Sequence, residues 1–320
     1  MNNFKLFEQM SLNKTVSQFI ILGFSNTGQL WPFFFSLLLM SYFLVVAGNV
    51  TISALIFVDR HLHAPMYFLI GILSFLEIWY TAVTIPGVLT VIWKGKTQIS
   101  FSNCMMQMYL FHSFGITENY LLNLMAYDRM VAICNPLRYH TIMTLKRCKT
   151  LVSSCWFLGF LSPLTLLISV SQLPFCGPNE INHLFCDSSP LLNLVCADTS
   201  LNFIIDFAIS LCMIILTSLF LIVTYVRIII TILKMKSSKV QKKAFSTCAS
   251  HLTVVLMFYG SVAFMYIRPQ IRYTPEYDKL VAINYSVLTP LFNPMIYSLR
   301  NKEIINSLKK LLRVKYVKHS

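Results

Sequence analysis

The sequence predicts an all-α membrane protein, a seven-transmembrane helix bundle followed by a short amphipathic C-terminal helix. Hydrophobic residues make up 56% of the 320 residues and charged residues only 12%, about half the charged share of a typical soluble domain. Seven long stretches are almost free of charge, and the first runs from Thr15 to Val58 without any Lys, Arg, Asp or Glu. About 20 apolar residues cross a bilayer as a helix. None of the seven stretches alternates between apolar and polar residues as a barrel strand would. The alternative to a membrane bundle is a very apolar soluble helical protein.

The basic residues predict the orientation of the bundle. Most of the 26 Lys and Arg residues fall in the C-terminal tail and in the connections on one side of the predicted membrane, and such loops stay in the cytoplasm. We therefore predict an extracellular N-terminus over 1–29, a seven-transmembrane domain over 30–300 and a cytoplasmic tail over 301–320. Apolar and basic residues at helical spacing in the tail predict an amphipathic helix on the inner membrane surface. The net charge of +14 thus indicates topology and affinity for anionic membrane lipid, and the basic residues do not form a nucleic-acid-binding face.

Cysteines and a glycosylation motif mark the predicted outer side. Cys104 begins the third predicted helix, and Cys176, Cys186 and Cys196 lie in the long second outer loop. Four cysteines in an oxidising compartment favour an even-numbered set of disulfides. The other five cysteines fall in helices or at the inner face, where we expect free thiols. Asn13, in the motif "NKT", is a predicted N-glycosylation site on the outer side.

An acid and a base, Asp128 and Arg129, stand side by side at the end of the apolar third helix, in "MAYDRMVAICNP". Counted from Cys104, the helix reaches them after about 37 Å at 1.5 Å per residue, which places them at the cytoplasmic end. Adjacent residues on a helix do not face each other squarely, so we expect Asp128 to restrain Arg129 only weakly. A charge with a choice of partners at a membrane boundary is a candidate switch. The alternative is a side chain that extends to the interface only for hydration.

Five motifs occur in order along the chain and together resemble one family. They are "GN" at 48–49, "PMYF" at 65–68, "MAYDRMVAICNPLRY" at 125–139, "KAFSTCASHLTVV" at 243–255 and "NPMIYSLRN" at 293–301. The chain resembles the olfactory receptors, a branch of the rhodopsin-like G-protein-coupled receptors. The resemblance implies a multi-pass plasma-membrane receptor that binds a small, mostly apolar odorant. It also implies activation of a heterotrimeric G protein of the stimulatory olfactory type, which raises cyclic AMP.

The resemblance assigns roles to the residues that match the family motifs. It implies that Asp128 holds Arg129 in the inactive state, and that Arg129 turns toward the G protein and Tyr225 on activation. The inner hinge of the seventh helix would be formed by Asn293, Pro294 and Tyr297. The implied disulfides join Cys104 to Cys186 and Cys176 to Cys196. The residue after Arg129 is usually Tyr in the family and is Met130 here, which removes a hydroxyl group near the G-protein face.

Two carboxylates, Glu77 and Glu118, lie well inside predicted spans. An ionised, unpaired carboxylate at mid-bilayer costs several kcal/mol. The resemblance implies that both lie beside Asn49 and Asn293, where related receptors hold sodium. Because two facing carboxylates do not both ionise cheaply, we expect a shared proton or a bound sodium ion, and no other cofactor. The alternative is two independent acids that extend to the interface.

The resemblance places the ligand pocket in the outer half of the bundle, with a mainly apolar lining and a few polar groups, as is usual for small-molecule pockets. For His112 the alternative to ligand contact is a structural hydrogen bond to the outer loop. Asp206 is alternatively a residue at the water-exposed rim. The residues implied to line the pocket are Phe111, His112, Gly115, Ile116, Asp206, Ile209, Ser210, Met213, Tyr259, Val262, Tyr266 and Ser286.

Other functions find less support in the sequence. A receptor of the same branch that senses an endogenous metabolite outside the nose fits the same motifs. A transporter is expected to show internal repeats and a channel a ring of charges along its pore, and we find neither. No nucleophile–base pair or set of metal ligands indicates an enzyme. The sequence does not specify the oligomeric state.

Overall fold

The structure of the chain is a computed structural model that describes residues 16–24, 31–175, 178–266, 275–299 and 303–310. Among the predicted site residues, Asn13 and Cys176 lie outside the described residues, and so do the side chains of Val262, Tyr266 and Tyr297. Most of the predicted N-terminal segment and most of the predicted tail also lie outside them.

Within these ranges the chain is mainly helical, and its long helices follow the predicted apolar stretches. The long helices are α1 (Trp31–Val58), α2 (Pro65–Lys94), α3 (Phe101–Cys134), α4 (Leu145–Ser171), α5 (Ser200–Leu233), α6 (Ser238–Tyr266) and α7, which comprises Pro275–Ile283, a π-helical segment Asn284–Leu288 and Thr289–Leu299. A further helix, α8, covers 303–310. Short helical turns lie in the connections at Arg60–Leu62, Pro136–Arg138, Tyr139–Ile142 and Ser188–Leu192.

Four of these helices, α1, α2, α4 and α5, are long and apolar enough to cross a membrane, as judged over the described residues. In each of α1, α4 and α5, only 17% of the most apolar 18-residue segment is buried inside the protein. Most side chains of these segments therefore face outward. Large apolar residues such as Phe43 and Leu216 are 70% and 60% exposed. Apolar surfaces of this extent are unusual on water-soluble monomers, and they are the surface that lipid requires.

The central element is α3, which packs against α2, α4 and α5. Its buried apolar residues include Phe111, Phe114, Leu121 and Leu122. Polar residues of α3, among them Glu118 and Asn119, are buried as well, because α3 has neighbours on several sides. The polar groups of α3 therefore lie inside the bundle rather than against lipid.

The helix α4 is interrupted at Ser162 and Pro163, between Leu145–Leu161 and Leu164–Ser171. Proline has no backbone N–H to donate to the preceding turn, and its ring crowds the carbonyl four residues earlier. The outer segment of α4 therefore starts anew, beside the cavity described below.

A small sheet on the outer side is a correction to the all-α prediction. It contains β1 (Gln18–Ile21), β2 (Thr97–Ser100) and β3 (Glu180–Ile181) in the order β2-β1-β3. β1 pairs antiparallel with β2 and parallel with β3. Strands of two to four residues leave no periodic signal in the sequence, so only their pairing reveals them. The sheet ties the segment before α1 to the loop before α5.

The inner helix α8 lies against the connection between α1 and α2. Tyr67 of α2 donates a hydrogen bond of 2.5 Å to Glu303 Oε2, and Ser307 donates one of 2.7 Å to Asp59 Oδ2. Ile304 is buried in the same core cluster as the inner ends of α1 and α2. These contacts fix the start of the C-terminal segment beside the bundle.

Candidate functional site

A cavity of about 130 Å³ lies among α3, α4 and α5, in the outer half of the bundle. A cavity of about 150 Å³ lined by apolar side chains admits benzene in another protein, so the volume suits a small organic molecule. The lining is mainly apolar and includes a few polar groups from Asn119, Asp206 and Ser210, which is typical of small-molecule sites.

Most of the predicted pocket residues line this cavity. On α3 these are Phe111, His112, Gly115 and Ile116, and on α5 they are Asp206, Ile209, Ser210 and Met213. Tyr259 and Ser286 do not line it. Ser286 is buried and donates a hydrogen bond of 2.5 Å to the carbonyl oxygen of Ala282, so its hydroxyl group is used within α7.

The sequence reasoning missed one wall of the cavity and its floor. The missed lining residues are Ser162, Pro163, Thr165 and Leu166 of α4, Asn119 and Ile214, and Tyr80, Phe258 and Tyr285. The only signal for the α4 wall was Pro163 within an apolar stretch, because a proline break opens space beside a helix. Asn119 was detectable only as a polar residue inside an apolar helix.

The loop between α4 and α5, predicted to be the second outer loop, covers one end of the cavity. A disulfide joins Cys104 at the start of α3 to Cys186 in the loop. The backbone N–H of Cys186 also donates to Gln107 Oε1 at 3.0 Å, and Gln107 Nε2 donates to the carbonyl oxygen of Val83 at 2.8 Å. These contacts attach the loop to both α3 and α2.

Asp187 connects this loop to the cavity wall. Its Oδ1 lies 3.0 Å from His112 Nε2 and accepts the backbone N–H of Ser188 at 2.7 Å, which caps the short helix Ser188–Leu192. Burial disfavours the Asp187 carboxylate, but the hydrogen bond and the nearby His112 and His183 rings outweigh burial and lower the pKa of Asp187. His112 therefore both lines the cavity and holds the loop, so the two sequence interpretations of His112 are compatible.

The floor of the cavity is a hydrogen-bond network that joins three helices. Tyr259 of α6 donates to Asn119 Oδ1 of α3 at 2.5 Å, and Asn123 Nδ2 donates to the Tyr259 hydroxyl at 2.8 Å. Asn119 Nδ2 reaches Thr217 Oγ1 of α5 at 3.5 Å. Asn119 thus touches the cavity on one side and α6 on the other, which makes it a link between ligand and helix position.

The two carboxylates predicted inside the membrane are buried together. Glu77 is 0% and Glu118 is 1% exposed, so neither extends to the interface. Asn293 of α7 donates to Glu77 Oε1 and to Glu118 Oε1 at 3.2 Å. Among the described residues, Glu77 Oε2 and the side-chain oxygen of Asn49 have no hydrogen-bond partner. The cluster of Glu77, Glu118 and Asn293 joins α2, α3 and α7 and contains one unsatisfied carboxylate oxygen, Glu77 Oε2.

Comparison with known proteins decides the class to which this chain belongs. A family model described as olfactory receptor matches residues 37–315. The chain belongs to the olfactory receptor family. It is 49% identical to olfactory receptor 6N1 of Homo sapiens over 298 residues, which cover 93% of this chain and 96% of that relative. It is 47% identical to olfactory receptor 6K3 of Homo sapiens over 297 residues, which cover 93% of this chain and 89% of that relative.

In this olfactory receptor the acid–base pair at the inner end of α3 is formed. Arg129 Nε donates to Asp128 Oδ2 at 3.0 Å and Nη2 donates to the same oxygen, while the Tyr139 hydroxyl donates to Oδ1 at 2.8 Å. We expected only weak restraint between adjacent residues. The structure corrects this, because the long Arg129 side chain folds back onto the buried Asp128, and Tyr139 keeps the carboxylate in place.

Other predicted switch residues of the olfactory receptor lie nearby. The hydroxyl of Tyr225 on α5 hydrogen-bonds His251 Nδ1 on α6, a partner that the sequence reasoning did not identify. Pro294 lies inside α7, one residue after the Asn293 that contacts both carboxylates. Cys196 is disulfide-bonded, and its predicted partner lies outside the described residues. Cys134, Cys148, Cys155, Cys212 and Cys248 are free thiols.

Proposed function

We propose that this olfactory receptor binds a small, mostly apolar odorant in the cavity among α3, α4 and α5 and then activates a heterotrimeric G protein. The G protein is of the stimulatory olfactory type, so binding raises cyclic AMP. The observation that carries the proposal is the position of Asn119, which lines the cavity and bonds Tyr259 of α6. A ligand that competes for Asn119 weakens the link to α6.

The proposed mechanism is a shift between two arrangements of α6. Without odorant, Tyr259 and Asn123 hold α6 against α3, and Asp128 holds Arg129. With odorant, the inner end of α6 moves outward and Arg129 turns to the G protein and Tyr225. A ligand shifts such an equilibrium only by its preference for one state, so the odorant must contact Asn119 or its neighbours differently in the two states.

The proposed topology has seven membrane spans, α1 to α7, with the N-terminus outside the plasma membrane and α8 on its inner surface. The segment with α8 contains Lys309 and Lys310, whose charges favour the anionic inner leaflet. Asn13 would be glycosylated and Cys176 would pair with Cys196 on the outer side.

The direct test is a cyclic AMP reporter screen of the expressed receptor against a chemically diverse odorant panel. Arg129→Ala is the control, since it removes the proposed G-protein contact and leaves the cavity unchanged. At least one apolar odorant should raise cyclic AMP with the native receptor and fail with Arg129→Ala. A correctly inserted receptor that responds to no odorant, or equally well with Arg129→Ala, would contradict the proposal.

Filling the cavity should weaken odorant binding and shift the dose–response curve to higher concentrations. A Cβ atom on Gly115 would meet only the Tyr80 hydroxyl, at 4.0 Å, so Gly115→Leu is tolerated by the backbone and projects into the cavity. We expect at least a tenfold higher half-maximal odorant concentration, about 1.4 kcal/mol of lost binding, in the same reporter assay. Gly260→Leu is the matched control, because a Cβ there meets nothing within 4 Å. An unchanged dose–response curve for Gly115→Leu would place the odorant elsewhere.

We also propose that the cluster of Glu77, Glu118 and Asn293 holds a sodium ion in the inactive state. The unsatisfied Oε2 of Glu77 supports this, because hard cations prefer oxygen ligands and buried polar atoms need partners. Such an ion carries one positive charge, so it would balance one carboxylate while the other stays protonated, and it would stabilise their contacts with Asn293 of α7.

The sodium proposal predicts how basal signalling depends on salt. Replacing sodium by choline should raise basal nucleotide exchange of the native receptor, and Glu118→Ala should abolish this dependence because it removes one oxygen ligand. Glu180→Ala is the control, since Glu180 is an exposed acid in the outer loop. If Glu118→Ala retains the sodium dependence of the native receptor, the ion does not bind here.

A further inference from the structure

We infer that the odorant reaches its cavity from within the outer half of the bilayer, through a gap between α4 and α5, and not from the extracellular water. This inference rests on the proposed function, because it concerns the same cavity. It specifies the class of ligand as molecules that dissolve in the hydrocarbon region of a membrane. It also assigns two residues, Thr165 and Ile209, to the rim of the opening.

Within the described residues, the loop between α4 and α5 covers the end of the cavity that faces the proposed extracellular side. Phe185, Cys186, Asp187 and Ser188 are each at most 1% exposed, so no channel to water passes between them. The Cys104–Cys186 disulfide and the His112–Asp187 contact hold this segment on α3. The short helix Ser188–Leu192 packs against the outer segment of α4 and closes the top of the gap. Access from water past these residues would require this part of the loop to separate from α3.

The lateral wall between α4 and α5 is much thinner. Both helices pack on α3, but their backbones barely approach each other within the described residues. Near their outer ends, Asn202 of α5 donates a hydrogen bond to Ser169 of α4. Below that contact, Thr165 of α4 and Ile209 of α5 line the cavity and remain exposed, Ile209 by 45%, so α4 and α5 do not bury them between each other. Two exposed cavity-lining residues on helices whose backbones barely approach each other are the basis on which we assign the opening.

The opening lies at the depth of lipid chains. Ile209 and Met213 are nine and thirteen residues from Ser200 at the start of α5, about 14 to 20 Å along the helix at 1.5 Å per residue. The hydrocarbon core of a bilayer is about 30 Å thick. The 34 residues of α5 span about 51 Å, so α5 centred in the bilayer extends about 10 Å beyond this core at each end, and Ile209 then lies among the hydrocarbon chains of the outer leaflet. Apolar molecules leave water for this region, so the ligand is concentrated where the opening lies.

The polar groups at the rim do not need hydrogen bonds from water. Thr165 Oγ1 donates to the carbonyl oxygen of Ser162 at 3.2 Å, and Ser162 Oγ donates to that of Leu158 at 2.6 Å. Hydroxyl groups bonded to their own helix are satisfied in lipid. The Thr165 methyl group and the Ile209 side chain are thus the surface that an entering molecule meets. The break at Pro163 leaves the outer segment of α4 separate from the rest of the helix.

The test uses a cavity cysteine and two thiol reagents on the full receptor in phosphatidylcholine vesicles. Ser210→Cys places a thiol on the cavity wall, and Cys212→Ser removes the exposed natural thiol nearby. The reagents are N-phenylmaleimide, which dissolves in the bilayer, and a trimethylammonium methanethiosulfonate, which stays in water. Peptide mass spectrometry gives the labelling rate at position 210. We expect labelling by the maleimide and at least tenfold slower labelling by the charged reagent.

Blocking the rim supplies the decisive comparison. In the Ser210→Cys background, Ile209→Trp and, separately, Thr165→Trp should slow maleimide labelling of the introduced thiol at least tenfold. Leu216→Trp should not slow it, because Leu216 lies about two turns further along α5, is 60% exposed and does not line the cavity. Each variant is first checked for surface expression. Slower labelling in either rim variant alone is enough to support the opening. The inference is overturned if the rim variants label as fast as the control, if the charged reagent labels as fast as the maleimide, or if neither labels.

Failure of this inference is distinguishable from failure of the proposed function. Labelling requires no odorant response, so a rim that controls labelling in a receptor silent to every odorant would support the opening and contradict the proposed function. An odorant-responsive receptor whose rim variants label as fast as the control would support the proposed function and contradict the opening.

Discussion

Asp128→Asn is expected to raise cyclic AMP signalling without odorant about tenfold. Arg129 makes two hydrogen bonds to Asp128 Oδ2, and bonds to a charged partner contribute roughly 1.5–3 kcal/mol. Losing about 1.4 kcal/mol of restraint changes an equilibrium constant tenfold. Asparagine keeps the shape of the side chain but loses the charge, so Arg129 is released toward the G protein. The measurement is basal cyclic AMP, normalised to receptor at the cell surface.

The matched control for this prediction is Tyr139→Phe. Tyr139 donates to the other oxygen, Asp128 Oδ1, at 2.8 Å, so its loss removes one hydrogen bond but retains the ion pair. We expect a rise of only a few-fold, in keeping with about 0.5–1.5 kcal/mol for an ordinary hydrogen bond. Equal basal signalling in the native receptor and Asp128→Asn would show that this pair does not restrain the inactive state.

Tyr259→Phe is expected to reduce the odorant-induced increase in signalling about tenfold and to raise the basal level. The Tyr259 hydroxyl takes part in two hydrogen bonds, to Asn119 and from Asn123, each contributing about 1 kcal/mol. Without them α6 is already released, so an odorant that competes for Asn119 has little left to change. The measurement is the ratio of cyclic AMP with saturating odorant to that without it.

Tyr120→Phe is the control for Tyr259→Phe. Its hydroxyl donates to the Met213 sulfur of α5 at 3.3 Å and does not reach α6, so the response to odorant should stay close to that of the native receptor. A response ratio lowered equally in both variants would indicate general damage to packing. A full response in Tyr259→Phe would remove the network below the cavity from the mechanism.

The sequence predicted the helical architecture well because lipid imposes a simple rule on it. Stretches without charge must be helical to satisfy their backbone groups in hydrocarbon, and the first uncharged stretch, Thr15–Val58, contains α1 at Trp31–Val58. The motif pattern identified the family. The small sheet was not predictable, since strands such as Glu180–Ile181 depend on pairing between distant segments.

The candidate site was predicted in part, and the missing part has a physical reason. Residues on α3 and α5 follow from helical spacing once one of them is known to face inward. The α4 wall depends on how the break at Pro163 redirects the outer segment Leu164–Ser171, and spacing along the chain does not give that direction. The double role of His112 also required the position of Asp187, which is 75 residues away in the chain.

Side-chain length explains the outcome at Asp128 and Arg129. Spacing on a helix describes where side chains begin, and adjacent residues begin about 100° apart. The Arg129 side chain is long enough to return to Asp128, and Tyr139 from the following turn fixes the carboxylate. A prediction from helical geometry alone therefore underestimates contacts made by long polar side chains.

The most direct test of the central claim is nucleotide exchange by a purified stimulatory heterotrimeric G protein mixed with the purified receptor in lipid nanodiscs. An apolar odorant active in the cellular screen should accelerate exchange at least tenfold with the native receptor and leave it unchanged with Arg129→Ala. Odorants that act in cells but never accelerate exchange with the purified receptor would contradict the claim that occupancy of this cavity activates the G protein.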